Sequence, residues 1–421
     1  MSKLIRSITR TRPIAWLSAM ALGMWLAAGA ASAEEFSPFA FGPWAGEGPK
    51  SGVIVDPAGN LYGTTSAGGE HGQGAVFQLI PPSPDEAAWT QKVLQEFDGA
   101  NGANPMAALA RDSAGNLYGT AAAGGVHQKG TVFQLTPPVD GVSAWTLKTL
   151  VAFDGANGAA PYGAVTLDAD GNLYGTTRAG GRADKGTVFQ IMPPLPGKTA
   201  WRRKTLVTFY GPNGAAPMAG VTPDTAGNLY GTTSEGGSND TGTVFQLSPP
   251  LPGKTVWRRK TLMTFIGFPS RNGAHPKAAV TLDSAGNIYG TTYKGGRKSV
   301  HGGTVYQLTP PIPPASTWKR RILYSFDGQP NVVAGVTLDA AGNLYGTTER
   351  VGLADHGSLY QLVAPAPGKT FWKFINRVDF LGSNGDSPTA SLLLGPDGSF
   401  YGTTPHGNQG SDYGTFFRYT P

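Results

Sequence analysis

No cysteine occurs in this 421-residue chain. Disulfides are therefore excluded, and stability has to come from a large, continuous core. Charged side chains make up only 14% of the chain and hydrophobic ones 40%. That balance excludes wholesale disorder and leaves ample apolar material to bury. No stretch shows an amphipathic helical period, so the part beyond the N-terminus reads as all β. The 61 glycines and 34 prolines follow no collagen period and therefore mark many tight turns between short elements. Also missing are G-x-S-x-G, H-E-x-x-H, the phosphate-binding G-x-x-x-x-G-K-[ST] and a dinucleotide fingerprint in a βαβ context. No pair of histidines stands at metal-ligand spacing. The sequence thus names no cofactor, no metal and no reaction.

What is present begins with a targeting pattern. MSKLIRSITRTR is basic, PIAWLSAMALGMWLAAGA is apolar, and Ala31-Ser32-Ala33 offers small side chains to a signal peptidase. The order predicts a secretory signal over 1–33, cleavage before Glu34, and a periplasmic or extracellular product that no longer contacts the membrane. The segment carries Lys3, Arg6, Arg10 and Arg12 and no acid. Removing those four charges from a net +6 leaves +2, so the global charge argues against nucleic acid as a partner.

The rest of the chain, 34–421, repeats itself. The tyrosine of G-N-L-Y-G-T-T falls at 62, 118, 174, 230, 289, 345 and 401, at intervals of 56 residues with a single 59. Each copy contains four strand-like pieces. In the third interval they are GAVTLD (163–168), NLYGTT (172–177), GTVFQIMP (186–193) and WRRKTLVTF (201–209). Turn signals separate them. In the first turn Asp168 can accept backbone N–H groups and Gly171 can take a positive φ. The ends indicate how the repeats are arranged. FSPFAF (36–41) matches a fourth strand with nothing before it, and GTFFRYT (414–420) a third strand with nothing after it. Together they complete one blade, which predicts a seven-bladed β-propeller of 28 strands, closed as a ring and acting as a monomer.

L-Y-G-T-T, then Gly-Gly, then G-T-V-F at this period resembles the bacterial choice-of-anchor tandem repeat GloVer-containing proteins, over nearly all of 34–421. The resemblance implies exported repeat proteins, often ending in a surface-sorting anchor. It supplies no catalytic residue to carry over.

Antiparallel alternation sends the second-to-third and fourth-to-first strand loops to one face of the ring. All six histidines fall on that face: His71, His127, His301, His356 and His406 in the former loops, His275 in the latter. Asp98 with Asn101, and Asp154 with Asn157, stand beside glycines there as turn formers or as oxygen ligands for calcium. The 59-residue interval breaks the symmetry. Its loop 266–276 is three residues longer than 210–217, and its loop 293–302 two longer than 234–241. They bring Arg271, His275, Tyr293, Lys294, Arg297, Lys298 and His301 to the fifth blade. Such a patch suits an anionic polysaccharide or a protein partner. The expected function is therefore an exported binding or scaffold module. A lyase using a His/Tyr pair on an acidic polysaccharide, and a purely structural envelope protein, are the alternatives. The fourth strands open on Trp and basic residues, as at Trp201-Arg202-Arg203-Lys204. Charge there protects the outer edge of each blade, with a polyanion-binding stripe as the alternative, and the fixed Pro194–Trp201 and Pro250–Trp257 spacing predicts packing across a blade.

Overall fold

The second strand of every repeat is five residues long and buried throughout, as at Leu61–Thr65 and Leu173–Thr177. Its glycine has a packing cause. A Cβ on Gly175 would stand 2.5 Å from Cζ of Phe189, the aromatic of the neighbouring third strand. The tip of the Phe189 ring lies over bare backbone, and any side chain at 175 would displace it. The same contact recurs at Gly63 under Phe77 and Gly231 under Phe245.

In the computed structural model, residues 34–421 are described apart from 43–45, 84–87, 140–143, 268–271, 297–300 and 408–412. The expected signal segment 1–33 lies outside the described residues. Among the described residues no helix is long and apolar enough to cross a membrane. Twenty-eight strands, β1 to β28 in chain order, form seven antiparallel sheets of four. Six sheets run in sequence order, from β2-β3-β4-β5 to β22-β23-β24-β25. The seventh has the order β1-β28-β27-β26. β1 (Glu35–Ala40) pairs with β28 (Thr415–Thr420) from Glu35 opposite Thr420 to Ala40 opposite Thr415. Pro38 lies within β1, where an edge strand tolerates its missing N–H. This is a seven-bladed β-propeller closed by its first and last strands.

One correction concerns the first strands. The sequence predicts a six-residue element over 163–168, but the ladder holds only Thr166 and Leu167 in β10. Nearer the axis the blades converge. A Cβ on Gly163 would meet Gly220 N of the next blade at 2.2 Å, so 163–165 run against neighbouring backbone and outside their own sheet.

Neighbouring blades are tied at three depths. Near the axis, the first threonine of each L-Y-G-T-T donates to a carbonyl of the next blade. Thr64 bonds Ala107 O and Thr232 bonds Ala278 O, and Thr403 closes the ring on Ser51 O. Midway, the phenylalanine ending each fourth strand meets the next blade's third-strand aromatic, with ring centroids 5.0 Å apart for Phe41–Phe77 and 5.4 Å for Phe209–Phe245. At the rim, the tryptophans reach the tyrosine of the preceding blade, as in Trp201 on Tyr118 and Trp257 on Tyr174. The packing thus runs between blades, where the sequence predicts a contact within one. Seven apolar clusters fill the seven gaps, and the one holding Phe41, Phe77 and Phe416 seals the closure.

Candidate site at the mouth of the central channel

The aspartate turn is the most repeated polar feature, and it is structural. Asp56 Oδ1 accepts the N–H groups of Ala58 and Asn60, both at 2.9 Å. Its Oδ2 accepts Asn60 Nδ2 and the Tyr62 hydroxyl, also at 2.9 Å each. Gln78 Nε2 then donates to that hydroxyl at 3.1 Å. Burial opposes ionisation of Asp56, but hydrogen bonds from Asn60, Tyr62 and the backbone hold its carboxyl below the usual range. Burial first, and Asp56 second, push the Tyr62 phenol up to about 12. The Asp98/Asn101 pair is likewise a reciprocal turn: Asn101 N donates to Asp98 Oδ1 at 2.8 Å and Asp98 N to Asn101 Oδ1 at 3.1 Å. Among the described residues no group of three or more His, Asp and Glu side chains could hold a metal ion.

On the opposite face, each fourth-to-first loop takes a left-handed residue, then a proline in most blades, then a residue that faces the axis. His275 occupies the left-handed place at φ 56°, where Asn104, Ala160 and Ser387 stand in other blades. The axis-facing places are held by Lys50, Met106, Tyr162, Met218, Lys277, Val333 and Thr389. With the small residues that follow them, they line a cavity of about 310 Å³ to which every blade contributes. A second variable ring follows the twin threonines: Ser66, Ala122, Arg178, Ser234, Tyr293, Glu349 and Pro405. The scaffold is seven-fold, but these two rings are not. Blades one and two offer serine and alanine in the second ring, whereas blades three to six offer Arg, Ser, Tyr and Glu.

Between the fourth and fifth blades a cavity of about 300 Å³ opens beside the channel. It is lined by Arg178, Met218, Ser234, Glu235, His275, Lys277, Tyr293 and Lys294. Lys277 Nζ lies 3.3 Å from the centre of the Tyr293 ring, and Lys294 Nζ 5.5 Å from it, a cation–π arrangement that stabilises the ammonium away from bulk water. Burial lowers the Lys277 pKa. Glu349 opposes that shift, and Lys294 adds to it. Burial, then the Glu349 charge, raises the Tyr293 pKa against a smaller opposing effect of Arg350. His275 Nδ1 sits 2.9 Å from Ser234 O, which fixes the ring and turns Nε2 away from that carbonyl. Among the described residues, none of Arg178, Lys277 and Lys294 forms an ion pair.

Of the seven residues expected from sequence, His275, Tyr293 and Lys294 line this one cavity. His301 is exposed in the same fifth-blade loop. Arg271, Arg297 and Lys298 lie outside the described residues. The remaining histidines stand in separate blades, and His356 is engaged by Asp386, with Nδ1 to Oδ2 at 3.0 Å. Sequence reasoning missed Arg178, Glu235 and Lys277. Arg178 and Glu235 sit in or beside loops of ordinary length and Lys277 stands just past the lengthened loop 266–276; the signal that reveals them is the residue type two places after the left-handed position and one or two places after the twin threonines.

The repeat scaffold and its closed ring of sheets define a protein of the repeat-propeller class. The chain belongs to the Gloeobacter/Verrucomicrobia repeat family, whose pattern matches residues 36–245, 145–333 and 258–421. No curated relative matches it. Among solved structures it is similar to a Thermus protein assigned as an oxidoreductase (glucose dehydrogenase), at 14% identity over 92% of this chain and 100% of that one, TM-score 0.41. It is also similar to a luciferin-regenerating enzyme, at 13% over 92% and 96%, TM-score 0.45. A third likeness is to an extracellular domain assigned to a one-component system of B. thetaiotaomicron, at 13% over 89% of this chain and 40% of that one, TM-score 0.49. At such identities and scores these likenesses carry no functional argument.

Proposed function

We propose that this protein is an exported binding module that holds a carboxylate-bearing saccharide at the channel mouth between the fourth and fifth blades. One observation carries the reading: Lys277, half-buried against the Tyr293 ring, shares a concave site with Arg178 and Lys294, and no described carboxylate forms an ion pair with any of the three. A partly desolvated cation without such a partner favours an incoming anion, and the tyrosine offers a face for a sugar ring. A bound carboxylate would restore the Lys277 pKa towards its ordinary value. Export is supported by the N-terminal n-region, h-region and A-x-A order together with the family membership. The raised Tyr293 pKa favours binding over proton abstraction, because a phenol held protonated is a poor base.

The test is calorimetric titration with uronate-bearing oligosaccharides and their neutral counterparts. Acidic members are expected to bind and neutral ones to bind more weakly. Lys277→Met should weaken binding by about tenfold or more, the loss of one charge-assisted hydrogen bond. Affinity for the acidic members should fall as pH rises through the lowered Lys277 pKa, since only the charged ammonium attracts the ligand. Failure of every acidic saccharide to bind, or indifference of binding to both Lys277→Met and Tyr293→Ala, would overturn the reading.

A further inference from the structure

The rim on the other face is unevenly charged. The fourth strands of the third to sixth blades, with the loops leading into them, are 193–208, 249–264, 310–325 and 364–379. They hold four, four, three and three Lys or Arg residues, and Asp379 is the one acid among them. In sequence, the matching stretches of the first, second and seventh blades, 81–96, 137–152 and 34–41, hold two cations against six acids, of which Asp85, Glu86 and Asp140 lie outside the described residues. The global charge of the ring hides this segregation.

The same arc exposes apolar side chains in its loops. Leu195 is 50% exposed, Leu251 51%, Val256 72%, Ile312 79% and Phe371 81%. These loops are preformed. Lys198 N donates to Leu195 O, and Lys254 N to Leu251 O, across Pro-Gly corners whose glycines take φ of 72° and 75°. This is a type II turn in which proline and glycine fit their places without strain. Lys369 N bonds Ala366 O in the same way. Each turn presents its first residue, Leu in two blades, and its last, Lys, to solvent. The tips occupy corresponding third-to-fourth strand loops of four successive blades and so leave the ring on one face.

We propose that this arc docks on a lipid surface carrying anionic headgroups. Such a surface accepts aliphatic tips and cations together, and stable peripheral attachment needs two such signals. An acidic polymer would engage the cations but leave the tips in water. A second copy that laid tips against tips would set one cationic arc against another. Sequence reasoning anticipated no membrane contact after loss of the signal. The proposal departs from that expectation, and it does not depend on the saccharide reading.

The test is co-sedimentation of the ring Glu34–Pro421, whose seven sheets close without residues 1–33, with vesicles of phosphatidylcholine alone or with one-third phosphatidylglycerol. Partition onto the anionic vesicles should be about tenfold stronger or more and should weaken with salt. The exposed double variant Leu251→Ser with Ile312→Ser should lower partition about fivefold at unchanged net charge. Lys198→Glu with Lys254→Glu and Lys369→Glu should remove it. Equal partition on both vesicles would overturn the proposal. So would partition indifferent to Leu251→Ser with Ile312→Ser, which marks polyelectrolyte attraction alone, or self-association without vesicles that those two changes abolish.

Discussion

Two residues separate what the repeat requires from what it tolerates. At Gly175 the ring tip of Phe189 leaves no room, with Cζ 2.5 Å from where a Cβ would be. Gly175→Ala should cost about 1–3 kcal/mol, as overpacking of a closed core does. At Tyr306 the opposite holds. Its hydroxyl is fully buried without a hydrogen-bond partner, in a place where Phe77, Phe133, Phe189, Phe245 and Phe417 serve other blades. Tyr306→Phe should be neutral to about 1 kcal/mol more stable, because it removes an unpaired buried polar group. Denaturant midpoints of the two variants check both signs. Both positions belong to motifs that stand out in the sequence, L-Y-G-T-T and G-T-V-Y. Their packing does not, because a ring lying across bare backbone is a contact between two strands, whereas the string shows only one strand at a time.

The strand pair with its aspartate turn is the unit at the next scale, and it makes stability sensitive to alkali. Burial first, then Asp56 and Asp283, raises Tyr62 and Tyr289 to about 12. Tyr401 reaches about 12 through burial and Asp397, and Tyr118, Tyr174 and Tyr230 shift in the same sense. The folded protein keeps these phenols protonated above the ordinary value near 10. Each therefore contributes stability that is whole below pH 10 and is lost as pH climbs from 10 towards 12. The melting temperature should fall steeply in that window, with phenolate absorbance rising only as the protein unfolds. A melting temperature that stays level from pH 10 to 12 would contradict this. The turn itself was legible, since D-x-x-G-N names its own hydrogen bonds. The onward links from Asp56 to Tyr62 and from Tyr62 to Gln78 were not, because they depend on which face each strand turns towards the other.

For the whole molecule, closure governs cooperativity. β1 supplies Phe36 and Phe39 at the edge of the last blade, and Phe41 just beyond it packs on Phe77 across the seam. In an open stack, losing a terminal strand would be a local injury. In a ring it opens the seam and should destabilise all seven blades, on the order of 5 kcal/mol, given one fully buried and two partly buried phenylalanines together with the lost strand pairing. Deleting 34–41 and following thermal unfolding by circular dichroism checks it: one lowered, broadened transition is expected, and an unchanged melting temperature would refute it. The ring and its two faces were readable from strand fragments at the two ends, because a blade split across the chain leaves an unpaired strand at each. The channel mouth was only partly readable. Unequal loop lengths pointed to His275, Tyr293 and Lys294, whereas Lys277 and Arg178 become notable only when equivalent places around the axis are compared.

The pairing of Glu35 with Thr420 also fixes the geometry of any attachment. Polypeptide joined before β1 or after β28 departs from a single spot, on the side where the Leu-Pro-Gly-Lys corners project. A label or cargo fused at either end would therefore hang beneath the disc, leaving the Lys277 cavity unobstructed and directed away from the tether.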